Sequence, residues 1–264
     1  MKQILFMSLI SLFAVSNAFS QTIVEQNKVI FEPVKLARDY AFQLPPNVEE
    51  RKIEVEQKVE LDALWYHERS HKKLVLYFQG NARNLQNFLD NHRMVLGWGY
   101  DVLVADYRGF GKSDGELSNQ EQMFSDAERV YDYAIKLGYR PEQIILYGYS
   151  LGTGLAAHLA AVRKAHALIL ESPYSSIGEI AWVGNKAPAY ALNTKEAVKH
   201  IKIPTLIVHG DKDDVITVDH ARRVYENLAA KARKLVVIEG GGHGDLRKRP
   251  EYQAIINSWV EDGR

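Results

Sequence analysis

Short apolar runs recur along the chain from residue 74 onward, and longer stretches with a helical pattern lie between them. The runs are rich in Val, Ile and Leu and do not alternate with polar residues, which is typical of strands that are covered on both faces. They lie at residues 74–78, 102–105, 144–147, 167–170, 205–208 and 235–238. We therefore predict six buried strands.

The stretches between the runs predict helices, for example at residues 125–137 and 153–162, and at residues 219–229 and 251–260. Strands that alternate with helices form βαβ units with right-handed crossovers, and such units build a mostly parallel sheet. Upstream, residues 51–61 nearly alternate between apolar and polar, which predicts a strand with one solvated face. Residues 64–66 predict a neighbouring strand of a meander. The pattern thus predicts an α/β fold with a mixed, mostly parallel sheet and helices on both faces.

The first 18 residues have the pattern of a signal peptide. Lys2 is a minimal positive segment, residues 4–15 are apolar, and small residues permit cleavage after Ala18 or after Ser20. The apolar stretch is shorter than the roughly 18–20 residues that a membrane-spanning helix needs. The chain contains no Cys, which excludes a lipid-anchored cysteine. We therefore expect export to the periplasm or the medium, with no stable membrane anchor after cleavage.

The remaining residues, 19–264, are enough for one sizeable core, and we expect a single domain. Lys and Arg number 33, as do Asp and Glu, so the charge is balanced. This balance gives no electrostatic reason to expect binding to nucleic acid. The absence of Cys means that an oxidising compartment would be tolerated without disulfides. The composition leaves the oligomeric state open.

The most informative motif is Gly148-Tyr149-Ser150-Leu151-Gly152, which joins the run at 144–147 to a predicted helix. A strand, a G-x-S-x-G turn and a helix describe a nucleophile elbow, in which a strained turn holds the serine hydroxyl at the end of the sheet. The amide of Leu151 would then point at the substrate. The alternative is an ordinary glycine-rich turn between a strand and a helix.

A serine nucleophile needs a base, and the base needs an orienting acid. The run at 205–208 leads into an acidic turn with three candidates, Asp211, Asp213 and Asp214. The run at 235–238 leads into a glycine-rich loop around His243. The carboxyl ends of parallel strands meet at one edge of a sheet, so these loops are expected to lie near Ser150. Solvated turns and helix caps also favour Asp, and at least one of the three is expected to have only that role.

Taken together, the motifs resemble the α/β-hydrolase superfamily, in particular compact serine hydrolases of the serine aminopeptidase-like group. The resemblance covers roughly residues 74–259 and rests on the segments 79–82, 106–113, 148–152, 209–216 and 241–243. It implies the α/β-hydrolase fold with a short lid, for which we expect about residues 171–202. It also implies that Asp213 is the acid, with Asp214 as the alternative, and that the amides of Asn81 and Leu151 form the oxyanion hole.

One residue departs from the pattern of this group. Gln79 stands where the family usually has His, and we expect its side chain to support the oxyanion loop and not to react. Residues 106–113 are expected to form a structural loop at the edge of the site, where Phe110 could line the pocket.

A competing motif, His67-Glu68-Arg69-Ser70-His71, matches the H-E-x-x-H zinc pattern of metalloproteases. That chemistry needs both imidazoles on one face of a helix and a third ligand downstream. Here the motif lies between two strand-like segments separated by only a few residues, which predicts a hairpin turn. We therefore expect no metal site.

The sequence predicts an exported serine hydrolase of a small-molecule acyl substrate. Ser150 would attack the acyl carbonyl, His243 would accept and return the proton, and Asp213 would hold the imidazole. No metal or organic cofactor is required. Ester or thioester cleavage is the first expectation. The alternatives are amide or peptide cleavage at the same site, or a non-catalytic binding protein with this fold.

The expected lid carries the aromatic residues Tyr174, Trp182 and Tyr190. They are compatible with an apolar acyl pocket and equally with packing of the lid on the core.

Overall fold

The structure is a computed structural model that describes residues 22–68, 70 and 72–262. The predicted signal peptide and its cleavage sites lie outside these residues. Within the described part of the chain, none of the helices combines the length and the apolar character that crossing a bilayer requires.

Eight strands form one central sheet in the order β10-β9-β8-β7-β4-β6-β3-β2. The pairs β2–β3 and β3–β6 are antiparallel, and every other neighbouring pair is parallel. The strands are β2 (Val48–Glu56), β3 (Val59–Tyr66), β4 (Leu74–Phe78), β6 (Asp101–Ala105), β7 (Ile144–Tyr149), β8 (Ala167–Glu171), β9 (Thr205–Gly210) and β10 (Arg233–Ile238). Two short strands, β1 (Glu32–Pro33) and β5 (Ala82–Arg83), pair separately in parallel.

Seven helices flank the sheet in the described residues. They are α1 (residues 22–30), α2 (Leu85–Asn91), α3 (Gln120–Lys136), α4 (Gly152–Val162), α5 (Thr194–Ala197), α6 (Val218–Asn227) and α7 (Pro250–Asp262). The sheet has an apolar core on each face. Leu74 and Leu76 of β4 lie in the core that α3, α4 and α6 cover, and Val75 and Tyr77 lie in the core that α2 and α7 cover. Burial on both faces explains the unbroken apolar runs and confirms the predicted α/β-hydrolase fold.

The predicted strand at residues 51–61 was wrong in one respect. The chain turns at Gln57–Lys58, so this stretch contains the end of β2 and the start of β3. Ile53 faces Leu61 across the hairpin, and both are buried. The turn contains no Gly, Asn or Pro, and Lys58 itself adopts the left-handed conformation with a φ of 65°. A two-residue turn without the usual turn residues leaves the alternation nearly intact, which is why the pattern did not show it.

The predicted hairpin turn after Tyr66 was also wrong. β3 and β4 do not pair with each other; each pairs with β6, which lies between them. β3 and β4 therefore lie on opposite sides of β6. His67 and Glu68, in the connection between these two strands, are not helical.

Candidate active site

The backbone of Ser150 has a φ of 50°, in the left-handed region that non-glycine residues rarely adopt. The residue lies between β7 and α4, and two glycines make this turn possible. A Cβ on Gly148 would meet the backbone of Gly152 and Thr153, and a Cβ on Gly152 would meet the carbonyl of Phe78. The amide of Ser150 donates to the carbonyl of Glu171, 3.0 Å away, which fixes the turn against β8. The predicted elbow geometry is therefore present.

The structure brings three of the predicted residues into one chain of contacts. Nε2 of His243 lies 2.9 Å from Oγ of Ser150, and Nδ1 of His243 lies 2.8 Å from Oδ2 of Asp213. An ionised carboxylate only accepts hydrogen bonds, so Nδ1–H donates to Asp213 and the serine hydroxyl donates to Nε2. The side chain of Asp213 is fully buried, whereas that of His243 is 17% exposed. This is the geometry of a nucleophile, a base and an orienting acid.

The carboxylate of Asp213 is held by four donors. Oδ1 accepts hydrogen bonds from the amides of Val215 and Ile216 at 3.0 and 2.8 Å. Oδ2 lies 3.2 Å from Nε2 of His209 and 2.8 Å from Nδ1 of His243. Burial alone would raise the pKa of Asp213. The hydrogen bonds from His209, His243 and the Ile216 amide outweigh burial and hold this pKa well below its usual range. The lowered pKa favours the ionised form of Asp213.

The other two acids of this turn have different surroundings. Asp211 accepts a 2.7 Å hydrogen bond from the amide of Gly240, so it ties the β9 turn to the turn after β10. Asp214 is exposed. Of the three candidates, only Asp213 contacts His243, as the resemblance implied.

His209 is a residue that the sequence reasoning did not single out. It is buried at the end of β9, and its Nε2 lies 2.8 Å from the carbonyl of Ile216. Both neighbours of Nε2 are acceptors, so this nitrogen carries the proton. His209 therefore helps to orient Asp213, because it contacts the same oxygen, Oδ2, as His243. Its place at a predicted strand end, four residues before the acid, was the available signal.

Glycines let the loop after β10 return over the sheet. Gly210 and Gly241 approach so closely that a Cβ on Gly210 would overlap the Gly241 backbone. The hydroxyl of Tyr149, next to the nucleophile, donates to the carbonyl of His243 at 3.2 Å. These contacts fix the imidazole relative to the elbow.

The proposed oxyanion residues, Asn81 and Leu151, both border the cavity that contains Ser150. Within the described part of the chain, neither backbone amide has an acceptor. The side chain of Asn81 donates to the carbonyl of Ile30 at 2.9 Å, so it anchors the loop to the N-terminal segment.

The side chain of Gln79 supports the proposed oxyanion loop through hydrogen bonds. Its Nε2 donates to Oδ1 of Asp106 at 2.8 Å and to the carbonyl of Ala105 at 3.2 Å. The Tyr107 hydroxyl donates to the Gln79 carbonyl at 2.6 Å. Burial raises the pKa of Asp106 to about 8, against the opposing hydrogen bonds from the Leu85 amide and Gln79. The Gln79 side chain thus has the structural role that the sequence analysis expected.

The sequence analysis did not identify a buried ion pair beneath the site. Nη1 of Arg247 lies 2.6 Å from Oε2 of Glu171, and both side chains are almost completely buried. Tyr147 and Tyr252 donate to the same carboxylate oxygen. The guanidinium also lies 4.0 Å above the ring of Tyr149. Glu171 directly follows the predicted strand at 167–170, which was the one signal available.

The cavity above Ser150 has a volume of about 280 Å³. Its walls are mainly apolar. They consist of Ile30, Glu32, Asn81, Ser150, Leu151, Tyr174, Ile177, Ile180, Trp182, Val183, Val215, Ile216 and His243. Five of these lie in the expected lid. Tyr174 is fully buried, with its hydroxyl donating to the Leu151 carbonyl, and Tyr190 packs on Phe31.

Two further expectations can be compared with the structure. Phe110 does not line this cavity; it borders a separate one with Phe31 and Leu117. His67 stacks on Trp65, and its Nε2 lies 3.2 Å from Glu49. His71 lies outside the described residues. Among the residues that the structure covers, no group of three or more His, Asp or Glu side chains could hold a metal ion.

The sheet order, the elbow and the acid and histidine loops define an α/β-hydrolase. A family model described as serine aminopeptidase, S33 matches residues 69–195 and 189–248, which is more than half of the chain. The chain therefore belongs to this family within the α/β-hydrolase superfamily. This membership supports a hydrolase activity.

Curated relatives and solved structures are consistent with the α/β-hydrolase fold of this chain. The chain is 30% identical to the α/β hydrolase domain-containing protein aho-3 of Caenorhabditis elegans over 71% of this chain and 57% of that protein. It is 33% identical to the lysophosphatidylserine lipase ABHD12 of Danio rerio over 66% of this chain and 52% of that protein. The chain thus spans little more than half of each relative. The Pyrococcus furiosus esterase Pf2001 superposes with a TM-score of 0.70 at 19% identity, covering 88% of this chain and 98% of the esterase.

Proposed function

We propose that this hydrolase cleaves an ester or thioester through a Ser150–His243–Asp213 triad and an acyl-enzyme intermediate. The observation that carries the proposal is the continuous hydrogen-bond path from Ser150 Oγ through His243 to Asp213, at 2.9 and 2.8 Å. The strained backbone of Ser150 supports it, because such strain is typical of functional sites.

In the proposed mechanism, Oγ of Ser150 attacks the acyl carbon while Nε2 of His243 takes the hydroxyl proton. The carbonyl oxygen becomes an oxyanion that accepts hydrogen bonds from the amides of Asn81 and Leu151. His243 then gives its proton to the leaving group, and the acyl-enzyme remains. Water, deprotonated by His243, attacks the acyl-enzyme and regenerates Ser150. Asp213 stabilises the imidazolium in both halves of the reaction.

The cavity supports an acyl substrate of modest size. A volume of about 280 Å³ lies just below the range of about 300–1,000 Å³ that is typical of ligand sites, and the walls are mainly apolar. A short or medium acyl chain fits such walls and gains from apolar burial. Esters and thioesters are preferred because their leaving groups need less assistance than amines.

Amide or peptide cleavage is the alternative reaction at the same site, and it uses the same residues. The family description supports it. A catalytically silent binding protein is the alternative from a different class, and the contacts of Ser150 and His243 argue against it. Export, inferred from residues 1–18, completes the proposal and would place the enzyme in the periplasm or the medium.

A substrate series tests the reaction class. p-Nitrophenyl esters from acetate to dodecanoate are compared with aminoacyl p-nitroanilides, using the wild type and Ser150→Ala. We expect hydrolysis of the shorter esters by the wild type and background rates with Ser150→Ala. Faster hydrolysis of the anilides would favour the amidase alternative. Equal rates for wild type and Ser150→Ala would contradict the proposed nucleophile.

A further inference from the structure

Residues 22–36, here called the N-terminal strap, contain α1 and β1. The strap lies outside the two ranges that the family model matches, 69–195 and 189–248. Its residue Ile30 is buried and borders the cavity that contains Ser150. Hydrogen bonds run from the strap both to the proposed oxyanion loop and to the lid. One segment therefore contacts two parts of the site that are far apart in the chain.

Three hydrogen bonds join the strap to the proposed oxyanion loop. Ile30 is the last residue of α1, where helix carbonyls lack intrahelical partners, and its carbonyl accepts a 2.9 Å hydrogen bond from Nδ2 of Asn81. The amide of Glu32 donates to the carbonyl of Asn81 at 3.2 Å, and the amide of Val34 donates to the carbonyl of Arg83 at 3.1 Å. Asn81 is thus fixed through both its side chain and its carbonyl, and these contacts set the position of its backbone amide.

Two side chains of α1 reach the lid. Oε1 of Gln26 accepts a hydrogen bond from the amide of Ala189 at 2.8 Å, and Oδ1 of Asn27 accepts one from the hydroxyl of Tyr190 at 2.5 Å. The rings of Tyr190 and Phe31 also pack edge to face, with their centroids 5.0 Å apart. Gln26 and Tyr190 are buried, so water does not easily replace these contacts. The lid and the oxyanion loop are therefore connected through one short helix.

The position of an oxyanion donor matters because the donor must lie about 2.7–3.1 Å from the oxygen that becomes charged. A misplacement of about 1 Å can cost on the order of 10²-fold in rate. We propose that the N-terminal strap is a positioning element of the active site, which holds the amide of Asn81 in place and couples it to the lid through α1. The inference rests on the proposed hydrolase function. The strap acts through Asn81 and not by contact with the reacting atoms.

Asn81→Ala tests the contact with the loop. Alanine keeps the backbone amide and removes only the Nδ2 donor, so a loss of activity reports the position of that amide. We expect kcat on p-nitrophenyl butyrate, measured well below the Tm, to fall about 10–100-fold with KM nearly unchanged, because the oxyanion forms only in the transition state. Asn91→Ala is the matched control, since Asn91 is exposed on α2 and its side chain bonds to Asn87 of the same helix. Wild-type kcat in Asn81→Ala would overturn the positioning role.

Tyr190→Phe tests the coupling to the lid. The ring remains to pack on Phe31, and only the hydroxyl that donates to Asn27 is lost. Tyr190 does not border the cavity that contains Ser150, so its hydroxyl is not a substrate contact. We expect a smaller fall in kcat, about threefold, again without a change in KM. Tyr133→Phe, on α3, is the control and should retain the wild-type kcat. Wild-type kcat in Tyr190→Phe would overturn the coupling.

Hydrogen exchange keeps this inference separate from the proposed reaction, because it needs no turnover. The amides of Glu32 and Val34 donate to the loop, so their exchange reports whether the strap is bound to it. We expect exchange in residues 31–36 to be about tenfold faster in Asn81→Ala than in the wild type or in Asn91→Ala. If no substrate is hydrolysed but this difference is found, the hydrolase proposal fails and the contact between strap and loop stands. Equal exchange in the wild type and Asn81→Ala would overturn the role of the strap.

Discussion

Nε2 of His243 lies 2.9 Å from Oγ of Ser150, although the two residues are 93 positions apart in the chain. β7 ends in the elbow that carries the serine, and the loop after β10 carries the histidine. The two strands run in the same direction but are separated in the sheet by β8 and β9. The contact exists because the carboxyl ends of parallel strands open onto the same edge and because a glycine-rich loop reaches back across it.

Replacing the proposed acid should affect catalysis far more than folding. In Asp213→Asn, the amide no longer favours the imidazole tautomer that accepts the serine proton, so we expect kcat to fall by about 10³–10⁴-fold. Asp214→Asn is the control, since Asp214 is exposed and does not contact His243. Steady-state kinetics of both variants on one p-nitrophenyl ester check this. A comparable loss of kcat in Asp214→Asn would contradict the assignment of Asp213 as the acid.

Removing one partner of the buried ion pair should destabilise the protein strongly. Arg247→Met leaves the Glu171 carboxylate buried without its cation, and we expect a loss of about 3–5 kcal/mol in the free energy of unfolding. The double variant Glu171→Gln, Arg247→Met should recover part of this loss because no buried charge remains. Urea unfolding of the three proteins measures it. A stability of Arg247→Met equal to that of the wild type would show that the pair does not support the fold.

The Gln79 side chain should matter through Asp106. Gln79→Leu removes a donor to a completely buried carboxyl group, and we expect a loss of about 1–3 kcal/mol in unfolding free energy. Gln79→His keeps a donor and carries the residue that the family usually has, so it should lose less. Thermal unfolding of both variants tests the difference. If Gln79→His were the less stable variant, the hydrogen bond to Asp106 would not explain how the Gln79 side chain stabilises the fold.

His220 should make stability fall in mild acid. Burial is the main cause that lowers the pKa of His220 to about 4, and its Nδ1 accepts a hydrogen bond from the amide of Ser175 at 3.2 Å. A depressed histidine pKa means that the unfolded chain takes up a proton first. The stabilisation is therefore complete above about pH 6.5 and is lost as the pH falls towards 4.

His220→Gln removes this titration. The Tm of the wild type should therefore fall more steeply between pH 6.5 and pH 4 than the Tm of the variant. Parallel curves over that range would contradict the assignment.

The sequence pattern predicted the features that are encoded by residues adjacent in the chain. Buried strands such as Leu74–Phe78 are continuous apolar runs, and the elbow is a contiguous motif, so both could be identified directly. The turn at Lys58 was missed because it uses none of the residues that mark turns. The pairing of Glu171 with Arg247 was missed because the two residues are 76 positions apart and only the folded sheet brings them together.

The nucleophile is the central claim, and covalent labelling tests it most directly. The folded protein is treated with a fluorophosphonate, digested and analysed by mass spectrometry, with Ser150→Ala treated in parallel. We predict one phosphonate adduct on the peptide that contains Ser150 and no adduct in the variant. An unlabelled wild-type protein, or equal labelling of Ser150→Ala, would contradict the account.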